Sequence, residues 1–415
     1  MLFRCAFFTL FSFHLMAMSR GVINFTGRTF VNEAKDYQPS NEFAANFRIE
    51  EDNSLKSFEF KLNVAGNLNH YYKQSNLIDL NEAYISYEYS NLIVTAGYQL
   101  FNWSDLESFH PADIVNSRII DSDVEAIKKR GELALSFSYL SEIGILKLYF
   151  MPKVIKNYFP DSRSRVADGS RPVSAAIVKK SSVSSDFNQA QYGIGFENTY
   201  DDLELKFNLL KAVNRSFVTL GYDTWVNSPG VRLVPTSDLT AYYSDSFNLT
   251  FSGTYFYDVH TLKFEYIFSS AYNKDLALLT AQGIVRNIDR SVAALGYEYQ
   301  FNHSNGSDSM VFLEYQFALK GSKRAKEELY VFQNDLFIGH RLMLNDAYAS
   351  EVFSGVFFDP SRSELLYLIN FSKRFNNNWK YKIGYRGYKV DKADGLGLNV
   401  LKNDDEVYLT FSRFF

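Results

Sequence analysis

The sequence has little of several features that would place it in another class of protein. Only one of its 415 residues is cysteine and only eight are proline. The cysteine is Cys5, so the chain after residue 20 is free of cysteine, which suits export through an oxidising periplasm. Acidic residues (47) nearly balance basic ones (43), so there is no reason to expect nucleic acid as a partner. A charged fraction of 22% and a mean hydropathy of −0.20 exclude a bundle of transmembrane helices.

Short motifs of nucleotide, zinc and hydrolase chemistry are also missing. The chain has no P-loop, no His-Glu-x-x-His and no Gly-x-Ser-x-Gly pattern. Five histidines follow residue 20 without the spacing of metal ligands: His70, His110, His260, His303 and His340. Only His110 has serine and acidic residues close to it, and their spacing neither shows nor excludes a Ser-His-acid relay. We therefore expect no enzyme, no cofactor and no metal site.

The first twenty residues differ in kind from the rest. A short positive start precedes an apolar run, Cys5 to Met16, of secretory length and too short to span a membrane. Ala17-Met-Ser19 then supplies small residues at the positions that a signal peptidase reads. We expect residues 1–19 to be a cleaved signal peptide. Residues 20–415 contain no linker-like break, so we expect them to form one domain.

What the sequence does have is strict alternation of apolar and polar side chains. Aromatic residues, which favour strands, make up 17% of the chain, with 38 Phe and 29 Tyr. In Leu80–Tyr89, for example, Ala83, Ile85 and Tyr87 share one face and Glu82 and Glu88 the other. Such segments of about ten residues, the length that a tilted strand needs to cross a bilayer, recur almost to the end. The pattern predicts an all-β fold, a single antiparallel transmembrane β-barrel of about 18 strands (16–20).

Connections between these segments come in two sizes. Ser90-Asn91, Asp201-Asp202, Ser244-Asp-Ser246 and Asn376-Asn-Asn378 are short polar turns of the kind that hairpins use. The long connections are residues 102–130, 152–186, 214–235, 320–328 and 389–404. Short periplasmic turns at one end and long extracellular loops at the other are the anatomy of a transmembrane β-barrel. A soluble sandwich, the alternative, would leave the regular strand length unexplained.

The last segment, Asp405 to Phe415, strengthens this prediction. It places Val407, Leu409, Phe411 and Phe415 on one face. It resembles the carboxy-terminal signal that the barrel-assembly machinery of Gram-negative bacteria recognises in outer-membrane barrels. Arg413 departs from that signal, and its charged head can extend to water at a membrane edge. The resemblance implies the outer membrane as the location, with its lipid, lipopolysaccharide and assembly machinery as partners.

Charged side chains inside the strands must face a wet interior, because each would cost about 2–4 kcal/mol against lipid. The candidate lumen-lining residues are Glu59, Lys61, Glu82, Glu88, Gln99, Lys263, Glu265, Glu314, Lys382 and Arg386. A lumen lined in this way is what a channel needs, and a tightly paired interior that blocks flow is the alternative.

Two long loops carry opposite net charge: residues 102–130 carry −2 and residues 152–186 carry +4. If the first folds inward it would line a constriction, with candidate residues Trp103, Asp105, Glu107, Asp113, Arg118, Asp121 and Asp123. If the second lies at the mouth it would attract anions or lipopolysaccharide phosphates, with candidate residues Arg163, Arg165, Arg171, Lys179 and Lys180. Solvated surface loops are the alternative for both.

The early strands also resemble those of a broad, porin-like group of outer-membrane proteins. The similar residues are Leu80-x-Glu82-Ala83-Tyr84-Ile85, Ala96-Gly97-Tyr98-Gln99, Trp103 and Pro111-Ala-Asp113-Ile-Val-Asn116. This chain has Tyr98 where the group has arginine, and Ser104 where the group has glycine. The resemblance implies a barrel and not a particular cargo.

We therefore expect an outer-membrane channel for small polar or anionic solutes, narrowed by residues 102–130. The first alternative is a closed barrel that displays residues 152–186 and 214–235 as a surface adhesin or envelope anchor. An outer-membrane hydrolase is the last alternative.

Overall fold

A computed structural model describes residues 20–33, 38–72, 76–121, 128–159, 161–165, 173–179, 182–215, 218–227, 230–271, 289–392 and 396–415. The expected signal peptide, residues 1–19, lies outside these ranges. Within them no helix is long and apolar enough to cross a membrane.

Within these ranges eighteen antiparallel strands form a closed barrel, the number that the sequence predicts. The first and last strands pair from Val22 with Phe414 to Phe30 with Glu406, and this pairing closes the sheet. The wall strands are β1 Arg20–Phe30, β2 Asn41–Leu55, β3 Phe58–Asn69, β4 Leu77–Tyr89, β5 Leu92–Gln99, β8 Glu132–Ser141, β9 Gly144–Met151, β12 Gln191–Tyr200, β13 Leu203–Val213, β15 Gly230–Tyr257, β16 His260–Ala271, β17 Arg290–Asn302, β18 Asp308–Ala318, β19 Asn334–Met343, β20 Glu351–Asp359, β21 Glu364–Asn376, β22 Trp379–Val390 and β23 Glu406–Phe414.

The remaining elements lie in the long connections. They are the strands β6 Arg118–Ile119, β7 Lys128–Lys129, β10 Val173–Lys179, β11 Ser182–Ser184 and β14 Val218–Asn227, the helix α1 Lys323–Leu329, and a 3₁₀ turn at Gly397–Leu401.

Short turns gather at the end of the barrel where the first and last strands begin and end. Ser90 and Asp201 adopt positive φ angles of 51° and 49°, as the turns predicted there require. The long connections lie at the opposite end, so the two ends differ as the sequence predicts. We call them the short-turn end and the long-loop end.

Alternation gives each wall strand an outer apolar face. Ile78, Ile85 and Tyr89 of β4 are 71%, 47% and 69% exposed. Inward neighbours on the same strand are covered, and Ser86 hydrogen-bonds Thr95 of β5 at 2.6 Å. The exposed aliphatic band is the surface that a bilayer would cover.

The long strand β15 overturns one predicted turn. It continues through Ser244–Ser246 because its partner changes there: Asp245 to Tyr255 pair with β13, while Gly230 to Tyr242 pair with β14. Strand β10 pairs with it in parallel from Val173–Leu239 to Val178–Ser244. The β14–β15 hairpin therefore extends beyond the barrel wall at the long-loop end.

Candidate functional site

The connection after β5 folds into the lumen. We call residues 102–117 the inner segment. The side chain of Asn116 ties its two ends together: Oδ1 accepts from the amide of Phe101 (2.7 Å), and Nδ2 donates to the oxygens of Gln99 (3.2 Å) and Arg130 (2.7 Å). The segment leaves the wall at β5 and returns to it at β8, so both of its ends are fixed at one side of the barrel.

Glu265 of β16 holds the first part of the inner segment from across the lumen. Its Oε1 accepts hydrogen bonds from Ser104 Oγ (2.6 Å), Asp105 N (2.7 Å) and Leu106 N (3.2 Å). Its Oε2 accepts from Ala112 N (3.2 Å). The side chain is almost fully covered, at 1% exposure. A buried carboxylate with four donors is satisfied, and three of these donors are main-chain amides that would otherwise lack a partner.

Glu314 of β18 accepts hydrogen bonds from the main chain at the tip of the inner segment. Its Oε1 accepts from Glu107 N (2.6 Å), and its Oε2 accepts from Ser108 N (3.0 Å) and Phe109 N (3.1 Å). Together the two glutamates provide acceptors for six main-chain amides of the inner segment. We call this pair of glutamates the carboxylate latch.

Apolar side chains of the inner segment pack against the wall on either side of the latch. Trp103 packs against Phe101 and Tyr149, with ring centroids 6.4 and 5.8 Å apart. Phe109 lies edge-on to Phe332 and Phe357 at 5.6 and 5.7 Å. These contacts fill the half of the lumen bounded by β8 to β20.

Gly296 of β17 permits the close approach of the segment to the wall. A Cβ atom at this position would overlap the side chain of Leu106. Leu106 is buried in the cluster that contains Phe312 and Phe337. The wall is therefore shaped to receive the segment at this point.

Ion pairs add to the attachment. Asp105 pairs with Lys206 of β13 and Glu107 with Arg341 of β19, each at 2.6 Å. Asp113 pairs with Lys129 of β7. The acidic residues of the segment are thus matched by bases from three sides.

His110, Ser104 and Glu265 lie together, but their order is not that of a catalytic relay. Ser104 Oγ is 2.9 Å from His110 Nδ1 and donates to Glu265 at 2.6 Å. In a relay the histidine stands between the serine and the acid, whereas here the serine stands between the other two. Burial lowers the pKa of His110 to about 4, with Asp113 acting in the opposite direction. The ring is therefore neutral near pH 7, and the geometry gives the group a structural role.

The other half of the lumen holds a cavity of about 1180 Å³. Strands β1–β4 and β19–β23 form its wall, and the inner segment with the β6–β7 arm forms the facing side. Val22, Lys380 and Phe414 line it at the short-turn end, and Tyr72 and Ser164 line it at the long-loop end. The cavity therefore runs along the barrel from one end to the other.

Basic side chains outnumber acidic ones on this lining. The eight bases are Arg28, Arg48, Lys128, Lys129, Arg341, Lys380, Lys382 and Arg386, and the five acids are Glu42, Asp79, Glu107, Asp121 and Glu351. Arg386 and Arg28 both reach Glu406, at 2.6 and 3.4 Å. Lys380 has no ion pair within the described residues. The net positive lining is opposite in sign to the net charge of residues 102–130.

The structure distributes the candidate constriction residues over both sides of the segment. Glu107 and Asp121 line the cavity. Trp103 does not, because its ring is buried at 4% exposure. Asp105 and Asp113 are held in the ion pairs given above, and Arg118 donates to the main-chain oxygen of Asp113 at 2.8 Å. Asp123 lies outside the described residues.

Only Lys382 and Arg386 of the candidate lumen-lining residues line the cavity. Glu265 and Glu314 face the inside of the barrel, where the inner segment covers them and donates hydrogen bonds to them. Gln99 is also covered, since its amide donates to Ala134 O (3.0 Å) and its oxygen accepts from Ser136 (2.8 Å).

The remaining candidates lie on inner faces outside the cavity lining. Lys263 pairs with Glu298 at 2.5 Å, and Lys61 pairs with Glu82 at 3.3 Å. Glu59 is on the same face of β3 as Lys61, and Glu88 is near the β4–β5 turn.

The basic loop predicted at residues 152–186 forms a buried ion pair, which its net charge does not predict. Arg165 is buried at 6% exposure. Its Nε donates to Asp404 Oδ1 at 2.9 Å and its guanidinium lies 4.3 Å from the ring centre of Phe30. Arg165 is therefore a tether and not a solvent-facing cation.

Neighbouring residues extend this attachment. Arg163 is half-exposed and donates to Tyr71 O at 2.6 Å, and Gln38 donates to Ser164 O at 3.1 Å. Residues 161–165, which we call the mouth loop, thus attach to three other connections, β1–β2, β3–β4 and β22–β23, at the long-loop end of the cavity. Arg171 and Lys180 lie outside the described residues, and Lys179 ends β10.

Sequence reasoning missed the carboxylate latch, the Asn116 tie and the Arg165 tether. The latch and the tether join residues that are far apart in the sequence. The tie is local, but no sequence motif predicts it. The inward-facing acids within strands were the one available signal for the latch.

No protein-family model and no curated protein matches this chain. Among solved structures it is similar to Wzi, an outer-membrane protein involved in group 1 capsule assembly in Escherichia coli and described as a carbohydrate-binding β-barrel. The identity is 10% and the TM-score 0.50, with 98% of this chain and 86% of that chain covered. A mutant of the Rh. blastica porin is 12% identical with a TM-score of 0.44, over 96% of this chain and 100% of that chain. The chain therefore has the fold of a closed antiparallel β-barrel, as Wzi does.

Proposed function

We propose that the protein is an outer-membrane channel that passes small polar or anionic solutes beside the inner segment. The observation that supports this most is the cavity of about 1180 Å³, lined by residues from both ends of the barrel. A blocked interior would instead be filled by paired side chains, as the half under the inner segment is. The inner segment narrows the lumen because it crosses from β5 to β16 and β18 and leaves the cavity beside β1–β4 and β21–β23 open.

The sign of the lining favours anions. Lys380 and Lys382 of β22 face the cavity, since Ile383 on the alternate face is exposed at 46%. The other bases of the lining include Arg28 and Arg341, which are paired with Glu406 and Glu107, whereas Lys380 has no ion pair within the described residues. Bases still outnumber acids on the lining. Such a lining raises the local concentration of anions and lowers their barrier to passage.

Recordings in planar bilayers test the proposal. We expect the purified protein to conduct ions and its reversal potential in a salt gradient to show a preference for anions. The double variant Lys380→Glu/Lys382→Glu should shift that potential toward cations, because it reverses two charges on the lining. A matched control is Lys373→Glu, on the outer face of β21. Absence of both conductance and solute uptake would contradict the channel.

A second candidate function has an observation of its own. The hairpin of β14 and β15 extends beyond the wall, and its base is packed by Ile177, Ala241 and Tyr243, which are fully buried. We infer that it displays a surface for a partner outside the cell. Deleting residues 219–240 should leave conductance and barrel stability unchanged while abolishing adhesion of cells that produce the protein. Equal adhesion of the deletion variant and the intact protein would count against this role.

The location and assembly of the barrel belong to the same proposal. Strand β23 pairs with β1 and β22 and carries the exposed residues Val407, Leu409 and Phe411 outward. Arg413 lies over the ring of Trp379, 5.2 Å from its centre, so its charge is sheltered near the short-turn end. We propose that barrel-assembly machinery reads this strand and that lipid and lipopolysaccharide surround the folded barrel.

A further inference from the structure

His303, Ser309 and His340 form a cluster that the proposed channel does not use. Ser309 Oγ lies 2.7 Å from His303 Nε2 and 3.1 Å from His340 Nε2. Alternation places the cluster on the outer wall, since Leu313 of β18 and Ile338 of β19 share its face and are 43% and 51% exposed. The cluster therefore faces the surroundings of the barrel and not the lumen.

Along the barrel axis, the cluster lies near the short-turn end, at the level where a membrane interface would lie. His303 follows the end of β17 at the short-turn end, and Phe301 and Tyr299 precede it on the same face with their rings stacked at 5.5 Å. His303 lies edge-on to Phe301 at 4.8 Å. Aromatic girdles mark the level of lipid head groups in outer-membrane barrels.

The cluster lines a pocket of about 310 Å³. Three of its lining residues are apolar (Phe301, Leu342 and Leu344), and the others are polar (His303, Asn305, Ser307, Ser309 and His340). A molecule that fits it has one polar end and one apolar end.

The proton count of the cluster suits an anion. One hydroxyl proton can serve only one of the two Nε2 atoms, so the other imidazole must donate its Nε2–H to Ser309. Neither Nδ1 atom has a hydrogen-bond partner within the described residues. The ring that accepts the Ser309 proton at Nε2 carries its own proton on Nδ1, and this Nδ1–H is left to bind a ligand.

We propose that this pocket binds the phosphate of a glycerophospholipid of the leaflet at the short-turn end. The imidazoles and Ser309 hold the phosphate, and Leu342 and Leu344 contact the acyl chain. The proposal rests on the membrane location of the barrel and not on its conductance. A metal site fits less well, because no three metal-binding side chains converge within the described ranges. Catalysis also fits less well, since no carboxylate orients either histidine there.

Lipid retention tests this assignment. The full-length protein is reconstituted with phosphatidylglycerol and extracted into detergent. Native mass spectrometry then measures how much lipid it retains. We expect one retained phospholipid, and we expect the double variant His303→Leu/His340→Leu to bind it at least about tenfold more weakly, because the hydrogen bond from Nδ1–H to the phosphate is lost. Ser309→Ala is a smaller change that keeps both rings, and a loss of about threefold is expected from one neutral hydrogen bond.

His260→Leu is the matched control. His260 also lies on the outer face at the short-turn end, but its Nδ1 pairs with Tyr297 Oη at 2.7 Å. Its variant should retain lipid as the unmodified protein does. Unchanged retention in both the double variant and Ser309→Ala would overturn the proposal. Displacement of the lipid by millimolar inorganic phosphate would overturn it too, because the site would then recognise free phosphate.

Discussion

The double variant Glu265→Ala/Glu314→Ala is expected to expose the main-chain amides of residues 105–109 and 112 to hydrogen exchange. In the intact protein these amides donate to the two carboxylates of the latch. A buried amide left without an acceptor costs about 1–3 kcal/mol. Six such amides together exceed what the packing of Leu106 and Phe109 can offset, so we expect the inner segment to detach from the wall.

Hydrogen exchange followed by mass spectrometry measures the detachment directly. We expect exchange in the peptide that contains these amides to accelerate by at least about a thousandfold, which corresponds to about 4 kcal/mol of lost local stability. Conductance should rise in the same variant, with more noise, because the segment no longer keeps to one side of the lumen.

Glu82→Ala is the control for the latch. Glu82 also faces inward and pairs with Lys61, but it does not contact the inner segment. Its variant should keep the segment protected. Protection that survives in the double variant would show that the apolar contacts alone hold the segment in place. The variants with glutamine should show smaller effects, since an amide oxygen still accepts.

Arg165→Ala is expected to release the mouth loop at neutral pH and to do so less in acid. Removing one partner of a buried ion pair costs about 3–5 kcal/mol, because the other charge stays buried without compensation. The partner is Asp404, whose Oδ2 is buried without a hydrogen bond within the described structure. The variant should therefore be cleaved by proteases within residues 152–190 far faster than the intact protein at pH 7.5.

The pH dependence follows from the pKa of Asp404. Burial raises this pKa from 3.8 to about 6, against the lowering effect of Arg165. The folded protein thus binds the proton more tightly than the unfolded chain, so this group adds stability as pH falls from about 6 toward 3.8. Without Arg165 the pKa rises further, and mild acid neutralises the charge that the substitution leaves behind. Cleavage of the variant should therefore slow markedly at pH 5.

Two further variants check this account. Adding Asp404→Asn to Arg165→Ala removes the stranded charge and should restore most of the resistance to proteolysis at pH 7.5. Arg163→Ala changes a side chain of the same loop that is 50% exposed and should have little effect. A cleavage rate that is the same at pH 5 and pH 7.5 would argue against the role of Asp404.

The sequence predicts the barrel well because alternation is a local signal repeated along the whole chain. Each wall strand carries its own apolar face, and the polar turns at Ser90 and Asp201 end the strands where predicted. The turn predicted at Ser244–Ser246 is wrong for a local reason: the polar residues there mark the rim of the wall and not the end of the strand. The change of pairing partner along β15, from β14 to β13, cannot be distinguished from a turn in the sequence.

The site is predicted less well because its contacts are not local. The broken alternation of residues 102–130 leaves two alternatives open, an inward fold and a solvated surface loop. The partners of that segment do not follow from the sequence, since Glu265 and Glu314 read as ordinary inward acids. Trp103 reads as a residue of the passage, and only the position of Tyr149 reveals that it is packed away.

The carboxylate latch also has a consequence for the order in which parts of the barrel fold. Glu265 and Glu314 follow their donors by 153 to 207 positions in the chain. Contacts between parts of a chain so far apart form slowly. Strands β16 and β18 must be in place before the segment has anything to bind. We therefore expect the lumen to narrow only after these two strands have paired within the wall.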